Sequence, residues 1–354
     1  MNGTRVLEGY VPEVDAEIVR RLLAEGAHIT GKTVCEAYCF SGGSHTAASG
    51  LVRNPHNPDH SAGGSSSGSA VVVATGEADM AIGCDQGGSI RMPASFSGIV
   101  GMKPTWSLVP YTGVLGMTAE IDHTGPMTRT IEDNALLLSV LAGADGEDSR
   151  QTNVRTEDYP GELSKGAGGL KVGIMKEGFE LPFGDPAVND RVREAAAGLE
   201  AAGVSVEDVS VPLHAAAGAI TFASIQRIVT SMFDLDGCPL ERPDLVPEGF
   251  VARQHTWREH TDTLPANVKV FLLAADLLKQ QHGYRYVARG RYLLRELRAA
   301  YDQALQTYDA LILPTTAMTA HRLPDADAPL AEHMQAASEP VSYTHLTLPT
   351  TSRV

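Results

Sequence analysis

The sequence predicts an α/β protein, and three observations carry that expectation. Strand-length and helix-length segments alternate from Leu170 to Val211 and return to a strand at Ala310. A buried strand, Asp79–Cys84, lies between two short helical patterns in the first half. The chain is also large enough: 354 residues with 43% hydrophobic content can bury a core in one large or two modest domains.

Each element has a local reason. Val14, Ile18 and Leu22, with Val19 and Leu23, form an apolar stripe at helical spacing over Val14–Glu25, stopped by Gly26. Glu17 and Arg21 add an i,i+4 pair on the wet face of that helix. Ala27–Thr30 reads as a short strand. Ser69–Thr75 reads as a helix with an Ala/Val core face, and Ser89 begins the next helix after the Asp79–Cys84 strand. Thr130–Ala142 is a helix that Thr130 can cap, with Asp133 at the third helical position. Asp145–Gly169 is polar and glycine-rich, a loop into a second half. There Leu170–Met175 is a strand, Pro186–Ala202 a helix and Val204–Val211 a strand. Long helical patterns fill Leu213–Asp234 and Ala266–Thr307, with Leu294, Leu297, Tyr301 and Leu305 on one core-facing stripe. Ala310–Leu313 is a strand that ends at Pro314.

Composition narrows the function classes. A net charge of −15 argues against nucleic acid or an anionic membrane as the main partner. No apolar run reaches the roughly 20 residues of a transmembrane helix. Cys35, Cys39, Cys84 and Cys238 are too sparse for a disulfide scaffold, which suits a reduced cytoplasm. Cys35 and Cys39 lie at helical i,i+4 spacing. They read as buried thiols rather than a metal pair, because no second ligand pair follows at metal-site spacing. His255 and His260 do not fit His-Glu-x-x-His and read as surface or boundary histidines.

Chemistry concentrates in two runs: Gly63-Gly64-Ser65-Ser66-Ser67-Gly68-Ser69-Ala70, and Asp85-Gln86-Gly87-Gly88-Ser89-Ile90-Arg91. A serine among glycines can expose its hydroxyl beside free main-chain N–H groups, the arrangement that stabilises an oxyanion. Taken singly, either run is equally a flexible loop. A phosphate cradle also competes, although Gly-x4-Gly-Lys-[Ser/Thr] is absent. Placing Ser89 at a strand-to-helix turn puts its hydroxyl where developing negative charge is favoured. Asp85 and Arg91 read as a pair bracing the turn, with two solvated side chains as the alternative.

Together the two runs resemble the amidase signature family. The likeness covers about Gly31 to Arg129 closely and Met1 to Pro314 more loosely. Besides the runs it rests on Gly31-Lys32-Thr33, Asn54-Pro55, Met92-Pro93, Gly101-Met102-Lys103-Pro104-Thr105 and Asp122-His123-Thr124-Gly125-Pro126. Gln86 and Val109-Pro110-Tyr111-Thr112-Gly113 are similar to the amidases that accompany nitrile hydratases, which convert small amides to acids and ammonia. The resemblance implies a mixed sheet sandwiched by helices, incomplete at both termini. It further implies a Ser–cis-Ser–Lys triad in which Ser89 is the nucleophile and Ser65 the bridging serine, with a cis Gly64–Ser65 bond. The main-chain N–H groups of Gln86, Gly87 and Gly88, through Ser89, would form the oxyanion hole, with Ser66, Asp85 and Arg91 in support. No metal or organic cofactor is implied. The partner is a small-molecule amide, not nucleic acid or membrane, and a homodimer is left open.

The sequence departs from the family pattern at several points. The family's catalytic lysine falls upstream of Met1, and Lys32 and Lys103 read as structural or surface lysines. Met1–Thr4 resembles an internal segment of the family, and the likeness stops after Ala337. The expected organisation is therefore a signature core at 1–144, a linker at 145–169, a substrate-pocket half at 170–337 and a non-native tail at 338–354. Ser67 stands where the family has glycine, a change the first turn of a helix can accept. Two rivals remain: the amidase subunit of a glutamyl-tRNA amidotransferase, whose motif has Thr at Gln86, and a non-catalytic remnant or binding module.

Overall fold

The computed structural model describes residues 2–181, 184–238 and 246–338. Met1 and all but the first residue of the expected 338–354 tail lie outside the described residues. The first half runs α1 (Glu17–Ala24), α2 (Ser67–Ala74), β1 (Met80–Cys84), α3 (Arg91–Ser97), β2 (Val100–Gly101), β3 (Thr124–Thr128) and α4 (Ile131–Leu141). The second contains α5 (Tyr159–Glu162), β4 (Lys171–Met175), α6 (Pro186–Ala201), β5 (Ser205–Val209), α7 (Ala217–Phe222), α8 (Ile225–Val229), α9 (Glu248–His255), α10 (Ala266–His282), α11 (Arg285–Ala304), β6 (Ala310–Ile312) and α12 (Leu330–Ser338).

The α/β expectation holds, with the described strands divided between two small sheets. One is antiparallel, in the order β1-β3-β2, with Met80 opposite Thr128 and Cys84 opposite Thr124. The other is parallel, in the order β5-β4-β6. Parallel neighbours need long crossovers, and here α6 joins β4 to β5 while the helices α7–α11 join β5 to β6. No described helix is long and apolar enough to cross a membrane.

Helix starts follow their caps. Thr130 is extended and its Oγ1 accepts from the Asp133 N–H at 3.1 Å, so α4 begins where the sequence places it. Asp185 does the same for α6 through the Ala187 N–H at 2.9 Å. The stripe of α1 packs Ile18 against Leu137, Leu138 and Leu141 of α4. Arg21 leaves the wet face expected for it. While paired to Glu17 at 2.8 Å, it donates to the Leu141 and Ala142 carbonyls at 2.8 Å each. A guanidinium there answers the unpaired carbonyls and negative end of α4.

Three expectations need correction. Ala27–Thr30 is not a strand: it is exposed, and no described strand pairs with it. The Asp145–Gly169 loop contains the one-turn helix α5, which Asp158 caps through the Gly161 N–H at 3.1 Å. The Ala266–Thr307 pattern is two helices, broken at Gly283, whose φ of +56 ends α10 in a conformation other residues avoid. The core between the halves gathers Ile228 of α8, Phe233 of the turn Thr230–Asp234 that follows it and Val268 of α10, against Val6, Leu7 and Tyr38. Leu297 of α11 is completely buried in a second cluster with Met175 of β4 and Ile220 of α7.

Candidate active site

The two serine-bearing runs meet at the end of β1. The strand delivers Asp85, which is 0% exposed, into a tight turn. Asp85 Oδ1 accepts from the Gly88 N–H at 2.7 Å, and Oδ2 accepts from the Ile90 N–H at 3.2 Å. Arg91, the first residue of α3, closes a two-pronged ion pair with both oxygens at 2.9 Å. Burial opposes the charge on Asp85, but the Arg91 guanidinium, the nearby Lys103 and the Gly88 N–H together hold its carboxyl well below the usual carboxylate range. Of the two sequence readings for this pair, the bracing one is what the geometry contains.

Ser89 occupies the turn just before α3 and is buried, at 6% exposure. Its carbonyl accepts from the Ser66 N–H at 3.2 Å, which ties the Ser89 turn directly to the Gly/Ser run. Ser66 Oγ in turn accepts from the Cys84 N–H at 3.1 Å and donates to the Cys84 carbonyl at 3.2 Å. One short side chain thus engages both main-chain polar groups of the last residue of β1. The Gly64–Ser65 bond is cis, as the resemblance implies. Ser65 is 1% exposed, and its Oγ is buried without a hydrogen-bond partner among the described residues. The Cys39 thiol lies beside it; contact with Cys35 and burial keep that thiol protonated.

Gly88 requires a correction. Its N–H is committed to the Asp85 carboxylate, a strong charged acceptor, and so it is not available to a substrate oxygen. Its φ of +117 is what turns that N–H inward. Gln86 is held by its side chain, whose Nε2 donates to Tyr111 Oη at 3.2 Å and to Asp122 Oδ1 at 3.1 Å. Asp122 also accepts from the Met117 N–H at 3.0 Å, so the loop before β3 is drawn onto the site. His123 adds its carbonyl, which accepts from the Asp85 N–H at 2.9 Å. Burial pushes the His123 imidazole down to about 3, so it is neutral near pH 7.

The two lysines part company. Lys32 is exposed. Lys103 is half-buried beside the Asp85–Arg91 pair and donates to the Pro104 carbonyl at 2.9 Å; loss of solvent, with repulsion from Arg91, brings it down to about 8. No described lysine hydrogen-bonds to Ser65. Ser67 sits in the first turn of α2, 0% exposed and outside the positive-φ region, which is the tolerated substitution the sequence allowed. Cys35 and Cys39 do not share an α-helix. Cys35 precedes the short 3-10 turn Ala37–Cys39 that Cys39 ends, and both thiols approach Asn2 Oδ1, at 3.8 and 3.3 Å. His255 is on the surface, paired with Asp236 at 2.7 Å.

Sequence reasoning assigned no role to Glu36, Tyr111 or Asp122. Tyr111 and Asp122 lay inside quoted motifs, so their buried polar groups could have been sought as partners for Gln86. Nothing local marks Glu36, because its side-chain partners His45 and Thr46 lie outside any motif.

Comparison with known proteins agrees with this geometry. A family model described as Amidase matches residues 1–352, and so runs past Ala337, where the sequence alone shows no further likeness. An enantioselective amidase of Rhodococcus rhodochrous is 44% identical over 347 residues, covering 95% of this chain. The chain spans 66% of that relative's length. The A-type subunit of the glutamyl-tRNA(Gln) amidotransferase of Synechococcus sp. (strain WH7803) is 37% identical over 340 residues, covering 94% of this chain and 68% of its own. The crystal structure of the corresponding Thermotoga maritima protein superposes with a TM-score of 0.76 at 27% identity, over 97% of this chain and 70% of that one.

Proposed function

The chain belongs to the amidase signature family, and from that premise we propose that it hydrolyses a small carboxamide to a carboxylic acid and ammonia through an acyl-enzyme on Ser89. The observation that carries this reading is the hydrogen bond from the Ser66 N–H to the Ser89 carbonyl. It joins the two runs that the reaction needs side by side. In the first step Ser89 Oγ attacks the amide carbon and its proton passes to Ser65 Oγ. Ser65 hands its own proton to a base, which in the family is a lysine. The collapsing intermediate takes that proton back from the base on its nitrogen, expels ammonia and leaves an ester on Ser89, which water then cleaves. The oxyanion would lie against the main chain of the Gln86–Ser89 turn, where the Gly88 N–H already donates to Asp85. Main-chain donors to an oxyanion are commonly worth about 3–4 kcal/mol each in the transition state. Asp85 and Arg91 hold those donors in place rather than touching substrate.

The 44% identity to an enantioselective amidase supports a free small-molecule amide as the substrate class. A second reading is the amidase component of a glutamyl-tRNA amidotransferase, supported by the 37% identity to the Synechococcus protein. Gln86, where the motif of that component has Thr, favours the first. Glutamine-dependent turnover with a co-purifying tRNA-binding subunit would reverse the order.

Ammonia release from a panel of primary amides tests the proposal. Ser89→Ala should lower turnover by at least about 10³-fold; undiminished turnover would overturn the nucleophile. Running the same panel on a chain extended upstream locates the base. Activity confined to the extended protein supports the family lysine, and activity in this chain alone means that another group takes the proton.

A further inference from the structure

Glu36 grips the peptide unit of the bridging serine from two sides. Its main-chain N–H donates to the Ser65 carbonyl at 3.1 Å. Its side chain, completely buried, points into the loop Ser41–Thr46. There Oε2 accepts three hydrogen bonds, from the His45 N–H at 3.1 Å, the Thr46 N–H at 3.1 Å and Thr46 Oγ1 at 2.9 Å. The loop so held lies against Gly64. A Cβ placed on Gly64 would stand 2.7 Å from the Ser41 carbonyl and 2.9 Å from Glu36 Cγ.

This is a demanding arrangement. A buried carboxylate is strongly disfavoured unless hydrogen bonds compensate it, and burial raises the Glu36 carboxyl above its ordinary range. Ser41 and His45 also ease the charge, but the three main contacts converge on Oε2. A loop of this size could be fixed by a hydroxyl or an amide. What the carboxylate adds is three convergent bonds on a single atom, in the loop that backs the Gly64–Ser65 turn. The Ser65 side chain is one carbon long, so a shift of its backbone carries the buried hydroxyl with it.

We propose that Glu36 is a positioning residue for Ser65: it fixes the Ser65 carbonyl with its N–H and the wall behind Gly64 with its carboxylate, and so aims the Ser65 hydroxyl at Ser89. The proposal rests on the reading of Ser65 as the proton bridge. Glu36 touches neither substrate nor the reacting atoms, and its effect is on the acylation step rather than on binding.

The test is the rate at which a fluorophosphonate labels Ser89, measured by mass spectrometry on the whole protein. In that reaction Ser89 Oγ forms a bond to phosphorus, fluoride leaves, and the hydroxyl proton goes through Ser65 to the base. Glu36→Ala should label about 100-fold more slowly than wild type, the effect of a misplacement of about 1 Å, while its circular dichroism and cooperative melting persist. KM for the best amide should stay unchanged as kcat falls. Glu36→Gln, which keeps an acceptor oxygen and the same shape, should restore most of the rate. Thr46→Val, which removes one donor and leaves Glu36 in place, gives a milder loss and serves if Glu36→Ala does not fold. Folded Glu36→Ala or Thr46→Val labelled at the wild-type rate overturns the positioning role. Wild type that is labelled elsewhere than Ser89, or not at all, overturns instead the acyl-enzyme reading beneath it.

Discussion

The two sheets of this molecule differ in how much polar fastening they carry. Every residue of β3 is buried, and the antiparallel sheet around it is fastened by short polar side chains bonding to main chain: Ser66 on Cys84, Thr124 on Gly83, Asp85 on Gly88 and Ile90. The parallel sheet is open to solvent along β5, and its stability comes from apolar area that α6, α7 and α11 lay against it. Directional bonds fix atoms to within tenths of an ångström, whereas apolar packing fixes elements and tolerates adjustment. Chemistry belongs on the first kind of scaffold, and that is where the two serines stand.

The largest break in that contrast should come from Asp85→Asn. It leaves Arg91 facing a neutral partner in a buried turn, and loss of one member of such a pair typically destabilises by about 3–5 kcal/mol. Urea denaturation should show the loss, and ammonia release per folded molecule should fall with it. Unchanged turnover would mean that the turn does not depend on its brace. Leu297→Ala sharpens the other side. Leu297 is completely buried on α11, so truncation should destabilise by about 2–5 kcal/mol. Turnover per folded molecule should be unaffected, since the lost contacts are in the parallel-sheet half. A parallel fall in turnover would show that the two halves are not separable in function.

A smaller effect is expected from pH. Burial first, then the neighbouring His45 and His60, push His321 down to about 4. The unfolded chain takes up that proton near pH 6.5 and the folded one only near 4. Stability should therefore be flat above about pH 6.5 and decline as pH falls toward 4, by roughly 2 kcal/mol at pH 5. His123, also depressed, adds to the same slope. His321 links to the site region through its carbonyl, which accepts from the Ser61 N–H at 2.9 Å just before the Gly/Ser run. His321→Phe should flatten the acid limb of the melting temperature; an unchanged limb assigns it to other groups.

Much of the site was legible in the sequence because its contacts are local. The Asp85–Arg91 pair spans one turn, and Thr130 caps the helix it precedes, so spacing alone finds both. The cis Gly64–Ser65 bond came from family likeness and from no property of the residues. What escaped was set mostly by contacts far apart in sequence. Arg21 looked like half of a surface pair and serves the end of α4. Gly88 belonged to a plausible row of donors, and only the fold reveals that the Asp85 carboxylate claims its N–H. Ala27–Thr30 has strand-like residues but no described strand alongside, and a strand without a partner is only extended chain.

Gly83 and Gly125 face one another across β1 and β3. Neither has the positive φ that usually reserves a position for glycine. They are reserved by their neighbours: a Cβ on Gly83 would come within 2.8 Å of Ile90 Cγ1 and 2.9 Å of Ser66 Oγ, and one on Gly125 within 2.6 Å of Pro104 Cδ. The spacing between the two serine runs is therefore set by side chains that are missing. For anyone diversifying this protein, Gly83 is a fixed gauge block: a side chain there would press on Ser66 and Ile90 together, and tolerance would follow free volume and not backbone torsion.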